Sequence, residues 1–137
     1  MLSCEKEKLE GETSMLIGKW NWTASILVPN HCDVDSTWDY VLEDEASNDN
    51  TYSLEFLEKG KLIFRHNGAT IWNKRIVFDS KEEINEDPYS HKFEIRLNNE
   101  TNDPMIIWVG DRALLVHDYP KDTDTDCEEM YNYFEKI

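Results

Sequence analysis

The residues best placed to do chemistry form an acidic run near the carboxyl end of the chain. From Asp122 to Asp126, aspartate alternates with threonine, which is the spacing of the first three ligands of a calcium-binding loop. Such a loop also needs glycine at its sixth position and a bidentate glutamate at its twelfth, where this chain has Cys127 and Tyr133. We therefore interpret the run as a solvated acidic loop and expect neither a bound metal nor another cofactor.

The histidines and nucleophilic side chains form no recognisable catalytic set. His31, His66, His91 and His117 stand at none of the spacings typical of metal ligands. No Ser-His-Asp or Cys-His arrangement is evident, and the carboxylates cluster in polar segments rather than in an apolar pocket that would raise a pKa. The sequence therefore predicts a protein that is not an enzyme.

The charge of the chain restricts its partners. Its 137 residues include 29 acidic and 14 basic side chains, giving a net charge of −15. Such a surface repels nucleic acids and anionic membranes and attracts cationic proteins. If the acidic residues serve a cationic partner, we expect the binding patch to comprise those at 43–49 and 122–128. Two interpretations stay open: these carboxylates bind a basic protein partner, or they only keep the protein soluble.

The elements that must position any binding site are strands, and the first of them contains Gly18-Lys19-Trp20. From residue 16 to residue 28 the even positions are apolar or glycine, whereas positions 19, 21, 23 and 25 are polar. A period of two over that length predicts a strand with one buried face. We expect Trp20 on that face to close one end of a barrel.

Similar alternation continues to the end of the chain. Asn67-Gly68 predicts a tight hairpin turn, because both residues tolerate the positive φ that a type I′ turn requires. Residues 43–50 and 81–90 are charged and are expected to be loops. Eight or nine strands at hairpin spacing predict one all-β domain at 15–137, an antiparallel up-and-down β-barrel, after a flexible tether at 1–14.

Aromatic side chains dominate the predicted interior. Nine of them are candidates to line a ligand site: Trp20, Trp22, Trp38, Tyr40, Tyr52, Phe56, Phe64, Trp72 and Phe93. An eight-stranded barrel has room for its own side chains or for one small ligand. The interior is therefore either filled or holds a ligand-sized cavity, and a cavity would need a polar tip such as that of Tyr40 or His66.

Cys4 gives a prediction about location. The segment Met1 to Cys4 resembles the end of a bacterial lipoprotein signal, in which a small residue precedes the cysteine that is cleaved and acylated. The charged residues 5–8 would then form a solvated tether. A signal peptide also needs a basic and an apolar segment before the cysteine. Either the sequence begins inside such a signal, or Met1 is the start and Cys4 is an ordinary exposed thiol.

Cys32 and Cys127 remain as a pair. Cys32 follows the first predicted strand and Cys127 begins the last one, and these two strands are neighbours in a closed barrel. In the oxidising compartment of an envelope lipoprotein the pair is expected to form a disulfide. The alternative is two free thiols.

The order of the motifs resembles a known family. Leu-Ile-Gly-Lys-Trp at 16–20, the hairpin sequence at 52–62, Phe-Glu-Ile-Arg-Leu at 93–97 and the terminal Tyr-Phe-Glu-Lys-Ile resemble the lipocalin-like lipoproteins of bacteria. The resemblance implies a cation over Trp20, for which Arg112 and Lys136 are the candidates. It also implies a lipid-anchored cell-envelope protein, periplasmic or on the outer membrane, that binds a small hydrophobic ligand. An acidic immunity or inhibitor protein directed against a basic partner is the alternative.

Overall fold

A computed structural model of the chain describes residues 8–29, 41–98, 104–119 and 128–137. Most of this backbone is extended, as the alternation predicts. A short 3₁₀ helix at Gly11–Leu16 comes first. The strands follow as β1 (Gly18–Pro29), β2 (Val41–Glu45), β3 (Tyr52–Leu57), β4 (Lys61–His66), β5 (Ala69–Glu86), β6 (Tyr89–Leu97), β7 (Met105–Val109), β8 (Ala113–His117) and β9 (Glu128–Lys136).

The strands form a closed antiparallel barrel. Strands β3 to β9 pair in chain order, and β9 pairs with β1 along nearly the whole length of β1. On its other edge β1 pairs with β3 through residues 18–21 and with β2 through residues 24–27. The eight strands β1 and β3–β9 therefore complete the barrel, with β2 as an additional strand. The predicted up-and-down barrel of eight or nine strands is confirmed.

A β-bulge at Thr23 reverses the faces of β1. The register against β9 passes from Trp22 opposite Phe134 directly to Ala24 opposite Tyr133, so Thr23 is the extra residue. A bulge shifts every later side chain to the opposite face. The single alternation predicted for residues 16–28 is therefore wrong beyond Trp22, and the residues that follow exchange their inner and outer positions.

Two segments predicted as loops contain strands. β2 includes the acidic residues 43–45, and β5 and β6 extend through most of 81–90, where Glu86 pairs with Tyr89. Both segments carry many charged side chains, which are poor strand formers by themselves. Their neighbours in the sheet supply the hydrogen bonds that hold them extended, and this pairing cannot be read from local composition.

The 3₁₀ helix closes one end of the barrel, which we call the floor. Trp20 is fully buried there, and its indole Nε1 donates to the Leu16 carbonyl oxygen over 2.9 Å. Lys136 Nζ lies 5.0 Å from the centroid of the Trp20 ring and donates to the Met15 carbonyl oxygen over 3.3 Å. The cation over Trp20 is thus Lys136, while Arg112 donates to the Lys136 carbonyl oxygen from outside.

Gly18 makes room for this arrangement. Its φ of +125° lies in a region that side chains disfavour, and an added Cβ would come within 3.1 Å of Lys136 Cε. The glycine of Gly18-Lys19-Trp20 therefore lets the Lys136 side chain pass under the strand to reach the tryptophan ring.

The floor begins before the predicted domain boundary. Leu9 is only 1% exposed within the hydrophobic core, and its backbone N–H donates to the Glu58 carbonyl oxygen over 2.8 Å. Residues 9–14, which the sequence assigns to a flexible tether, include the first turn of the 3₁₀ helix and pack onto the barrel. The packed unit therefore starts at about Leu9.

Candidate functional site

The end of the barrel opposite the floor, which we call the mouth, is lined by aromatic rings on its inner face. Tyr52 stacks on His66 with 4.3 Å between ring centroids, and on Phe64 with 5.7 Å. The centroid of the Phe64 ring lies 5.7 Å from that of Trp72 and 5.2 Å from that of Tyr119. Tyr52, Trp72 and Tyr119 are only partly buried, so their surfaces stay accessible at this end of the barrel.

The register explains why these rings converge. Tyr52 lies directly opposite His66, Leu54 opposite Phe64, and Phe64 opposite Trp72, so strands β3, β4 and β5 present one continuous inner face. Residues directly opposite each other in an antiparallel pair point to the same side of the sheet. Tyr119 follows β8 and reaches across to Trp72, whose Nε1 donates to the Tyr119 hydroxyl over 2.6 Å.

Two groups that can carry positive charge belong to the mouth. Lys74 lies opposite the buried Leu62, so its side chain starts on the inner face, and its Nζ lies 5.0 Å from the centroid of Trp72. His66 contacts Asn50 Oδ1 through Nε2 over 3.3 Å. His66 therefore lies among the rings of the mouth, and Lys74 adds an ammonium group beside them.

A buried polar chain lies beneath the mouth. Trp22 Nε1 donates to Ser25 Oγ over 2.9 Å, Ser25 Oγ donates to Asn132 Oδ1, and Asn132 Nδ2 donates to the Val116 carbonyl oxygen. Ser25 and Asn132 are both fully buried and directly opposite each other after the bulge. These hydrogen bonds join β1, β9 and β8 and give the buried Ser25 and Asn132 side chains polar partners.

The nine predicted lining residues separate into three groups. Trp22, Tyr52, Phe64 and Trp72 lie at or directly beneath the mouth. Trp20, Phe56 and Phe93 are 0% exposed in the core, so they offer no accessible surface to a ligand. Trp38 and Tyr40 lie outside the described residues. The packed interior around the second group leaves the mouth as the place where a ligand can contact the predicted rings.

The three cysteines and the acidic run also fall outside the described part of the chain. This applies to Cys4, to Cys32 and Cys127, and to residues 122–126. The strand neighbourhood that motivates a disulfide is present, since Pro29 of β1 pairs with Glu128 of β9. The disulfide and the lipid anchor stay predictions.

Lys74 and Tyr119 lie at the mouth but are not among the lining residues predicted from the sequence. Lys74 could have been found, because it shares the inward phase of Trp72, Ile76 and Phe78 on β5, and a charged residue in an apolar phase is a signal of function. Tyr119 carries no such signal, because it follows the last alternating residue of β8 and its position depends on how the chain leaves that strand.

No known protein family matches the chain, and no curated protein or solved structure is detectably similar to it. Within the described ranges, no group of three or more histidine, cysteine or acidic side chains could hold a metal ion. A search of the same ranges finds no helix with the length and apolar character needed to cross a membrane.

Proposed function

We propose that this protein binds a small hydrophobic ligand at the mouth of its barrel, as its resemblance to lipocalin-like lipoproteins implies. The observation that supports this proposal is a set of accessible aromatic rings on the inner face of the mouth. The Lys74 ammonium and the His66 imidazole lie beside these rings. Ligand sites are concave and mostly apolar, with a few polar groups that fix the orientation of the ligand. The mouth has this composition.

The side chains of the mouth also indicate what the ligand carries. A flat apolar body would stack on Tyr52 and Trp72, and an acceptor or carboxylate end would lie beside the Lys74 ammonium. The net charge of −15 opposes an anion at long range, but exposed charges are screened within about 8 Å at physiological ionic strength. The contact with Lys74 therefore dominates once the ligand has entered.

Two related dyes test the proposal. Anilinonaphthalene sulfonate and phenylnaphthylamine share the same rings, and only the first carries an anionic group. We expect both to bind with one dye per chain and to quench tryptophan fluorescence. Lys74→Gln should weaken binding of the sulfonate dye about tenfold, because one charge-assisted contact is lost, and leave the neutral dye within about twofold.

Trp72→Ala should weaken both dyes about tenfold or more, since stacking area is lost. Trp108→Ala is the matched control, because that ring lies on the outside of the barrel. Saturable binding that survives Trp72→Ala but not Trp108→Ala would place the dye on the outer surface and contradict the proposal. Failure of both dyes to bind would contradict it as well.

We also propose that the chain is held at the cell envelope through Cys4. The chain enters the floor at Leu9, and the five peptide steps from Cys4 to Leu9 span at most about 18 Å. An acyl group on Cys4 would therefore hold the floor near the membrane, with the mouth at the far end.

The anchor predicts incorporation of labelled palmitate in a bacterial host that expresses the chain behind a lipoprotein signal peptide. Cys4→Ser should abolish the label and release the protein from the membrane fraction, whereas Cys32→Ser should keep both. A label that persists in Cys4→Ser, or a soluble wild-type protein with a free Cys4 thiol, would contradict the anchor without affecting the ligand proposal.

A further inference from the structure

One side of the barrel has an apolar outer surface. The outward positions of β1, β2, β7, β8 and β9 form what we call the apolar wall: Ala24, Ile26, Val28, Leu42, Ile106, Trp108, Ala113, Leu115, Tyr131 and Tyr133. The bulge at Thr23 creates much of this surface, because it turns Ile26 outward instead of inward. Leu42 is 54% exposed, and the other members are partly buried by their neighbours.

The members of the wall adjoin one another across the strands. Ile26 lies opposite Leu42 on one side and opposite Tyr131 on the other. The rings of Trp108 and Tyr131 have centroids 6.0 Å apart. Burial, with the Glu129 carboxylate as the second cause, raises the pKa of Tyr131 to about 12, so this phenol stays neutral. The wall is therefore a continuous surface rather than a scatter of single apolar residues, which is the kind that marks an interaction site.

Carboxylates lie at three edges of the wall, while the Lys92 ammonium lies 5.6 Å from the centroid of the Trp108 ring. Glu43 and Glu45 lie at its β2 side, Glu94 lies at its β6 side, and Glu135 lies at the end near the floor. We call these four residues the acidic rim. None of the four forms an ion pair with another residue in the described ranges.

The opposite side of the barrel differs. There two outward carboxylates are paired, with Arg65 bound to Glu55 over 2.8 Å and Arg96 bound to Asp79. Paired charges suit a surface that faces water. An apolar centre with unpaired carboxylates around it has the anatomy of a protein interface, with aromatic residues in the core and a polar rim.

We propose that the apolar wall docks a cationic protein whose apolar contact surface is surrounded by lysine or arginine. A second copy of this chain would set one acidic rim against another, between two molecules of net charge −15. An anionic lipid surface would be repelled by the same carboxylates. A basic protein would make apolar contacts with the wall and be attracted by the carboxylates of the acidic rim. The wall is separate from the ligand site at the mouth.

Photo-crosslinking of the full chain in its own host tests this docking. A benzoylphenylalanine replaces Leu42 on the wall in one variant and Ile71 in a control, because Ile71 is 55% exposed on the opposite side. A second wall position, Ala24, covers the case in which the first replacement disturbs folding. We expect one discrete protein adduct from the wall positions and none from Ile71, with a partner of net positive charge.

The purified partner then allows the interface to be measured. Trp108→Ser and Tyr131→Ser should each weaken binding about 30-fold, as expected of aromatic residues at an interface centre. Replacing Glu43, Glu45 and Glu135 with Gln should slow association about tenfold at low salt. The same change at Glu58, Glu83 and Glu86 removes equal charge away from the wall and should leave the rate within about twofold.

The docking proposal is overturned if the wall positions crosslink to a second copy of the chain, within one chain, or to lipid. It is also overturned if Leu42 and Ile71 give equal adducts, or if neither wall position gives any adduct. It is also overturned if the two sets of glutamate replacements slow association equally.

Discussion

Trp20→Ala is expected to destabilise the protein by about 3–5 kcal/mol, the cost of removing a large ring from a packed core. Trp20 is 0% exposed, and its loss would also leave the Leu16 carbonyl oxygen without the indole donor and Lys136 without its ring. The free energy of unfolding in urea measures this cost. Trp20→Phe, which keeps a ring but not the N–H donor, should cost less than Trp20→Ala by at least about 1 kcal/mol.

Trp108→Ala is the matched control for this prediction. Trp108 is partly exposed on the outer surface, so its loss should cost less than half as much as the loss of Trp20. A loss below about 1 kcal/mol for Trp20→Ala would show that the ring is not buried and that Gly18-Lys19-Trp20 does not form the floor.

Gly110→Ala is expected to destabilise the protein by about 3 kcal/mol, at the upper end of the range for overpacking. Gly110 is buried in the turn between β7 and β8, and an added Cβ would come within 1.9 Å of the Pro88 carbonyl oxygen. That oxygen belongs to the backbone of the turn between β5 and β6, so no side chain can rotate to make room. The two turns would have to separate.

Gly68→Ala separates this clash from the cost of backbone conformation. Gly68 has a φ of +84° with nothing within 4 Å of its added Cβ, so its replacement should cost only about 1–2 kcal/mol. Urea unfolding of both variants measures the difference. Equal costs for the two replacements would contradict the contact between the two turns.

The alternation of apolar and polar residues was sufficient to predict the barrel. A period of two is a local property, and each strand shows it in its own residues, as Phe93 and Ile95 do on β6. Closure also followed from the sequence, because eight or nine strands joined by consecutive hairpins bring the last strand beside the first. The pairing of β1 with β9 confirms that reasoning.

The bulge and the two charged strands could not be predicted in the same way. Thr23 looks like any polar residue in an alternating strand, and only its pairing against β9 shows that it is an extra residue. The acidic residues of β2 have weak strand propensity, and they are extended because β1 offers a free edge. Both features depend on a neighbouring strand far away in the sequence.

The candidate site was predicted in part. Four of the predicted aromatic residues meet at the mouth, but the sequence could not separate them from Trp20, Phe56 and Phe93, which are of the same type and phase. Depth along the barrel axis divides the two sets, and depth depends on strand stagger rather than on residue type. The apolar wall could not be predicted from the sequence, because the bulge determines which side chains of β1 face outward.

Indole N–H signals in a proton–nitrogen correlation spectrum locate a ligand relative to the mouth. Each tryptophan contributes one such signal, which single Trp→Phe replacements assign. On titration with phenylnaphthylamine, the signals of Trp22 and Trp72 should shift in a saturable manner, while those of Trp20 in the floor and Trp108 on the apolar wall stay in place. A shift confined to Trp108, or saturable binding that moves neither Trp22 nor Trp72, would contradict a ligand site at the mouth.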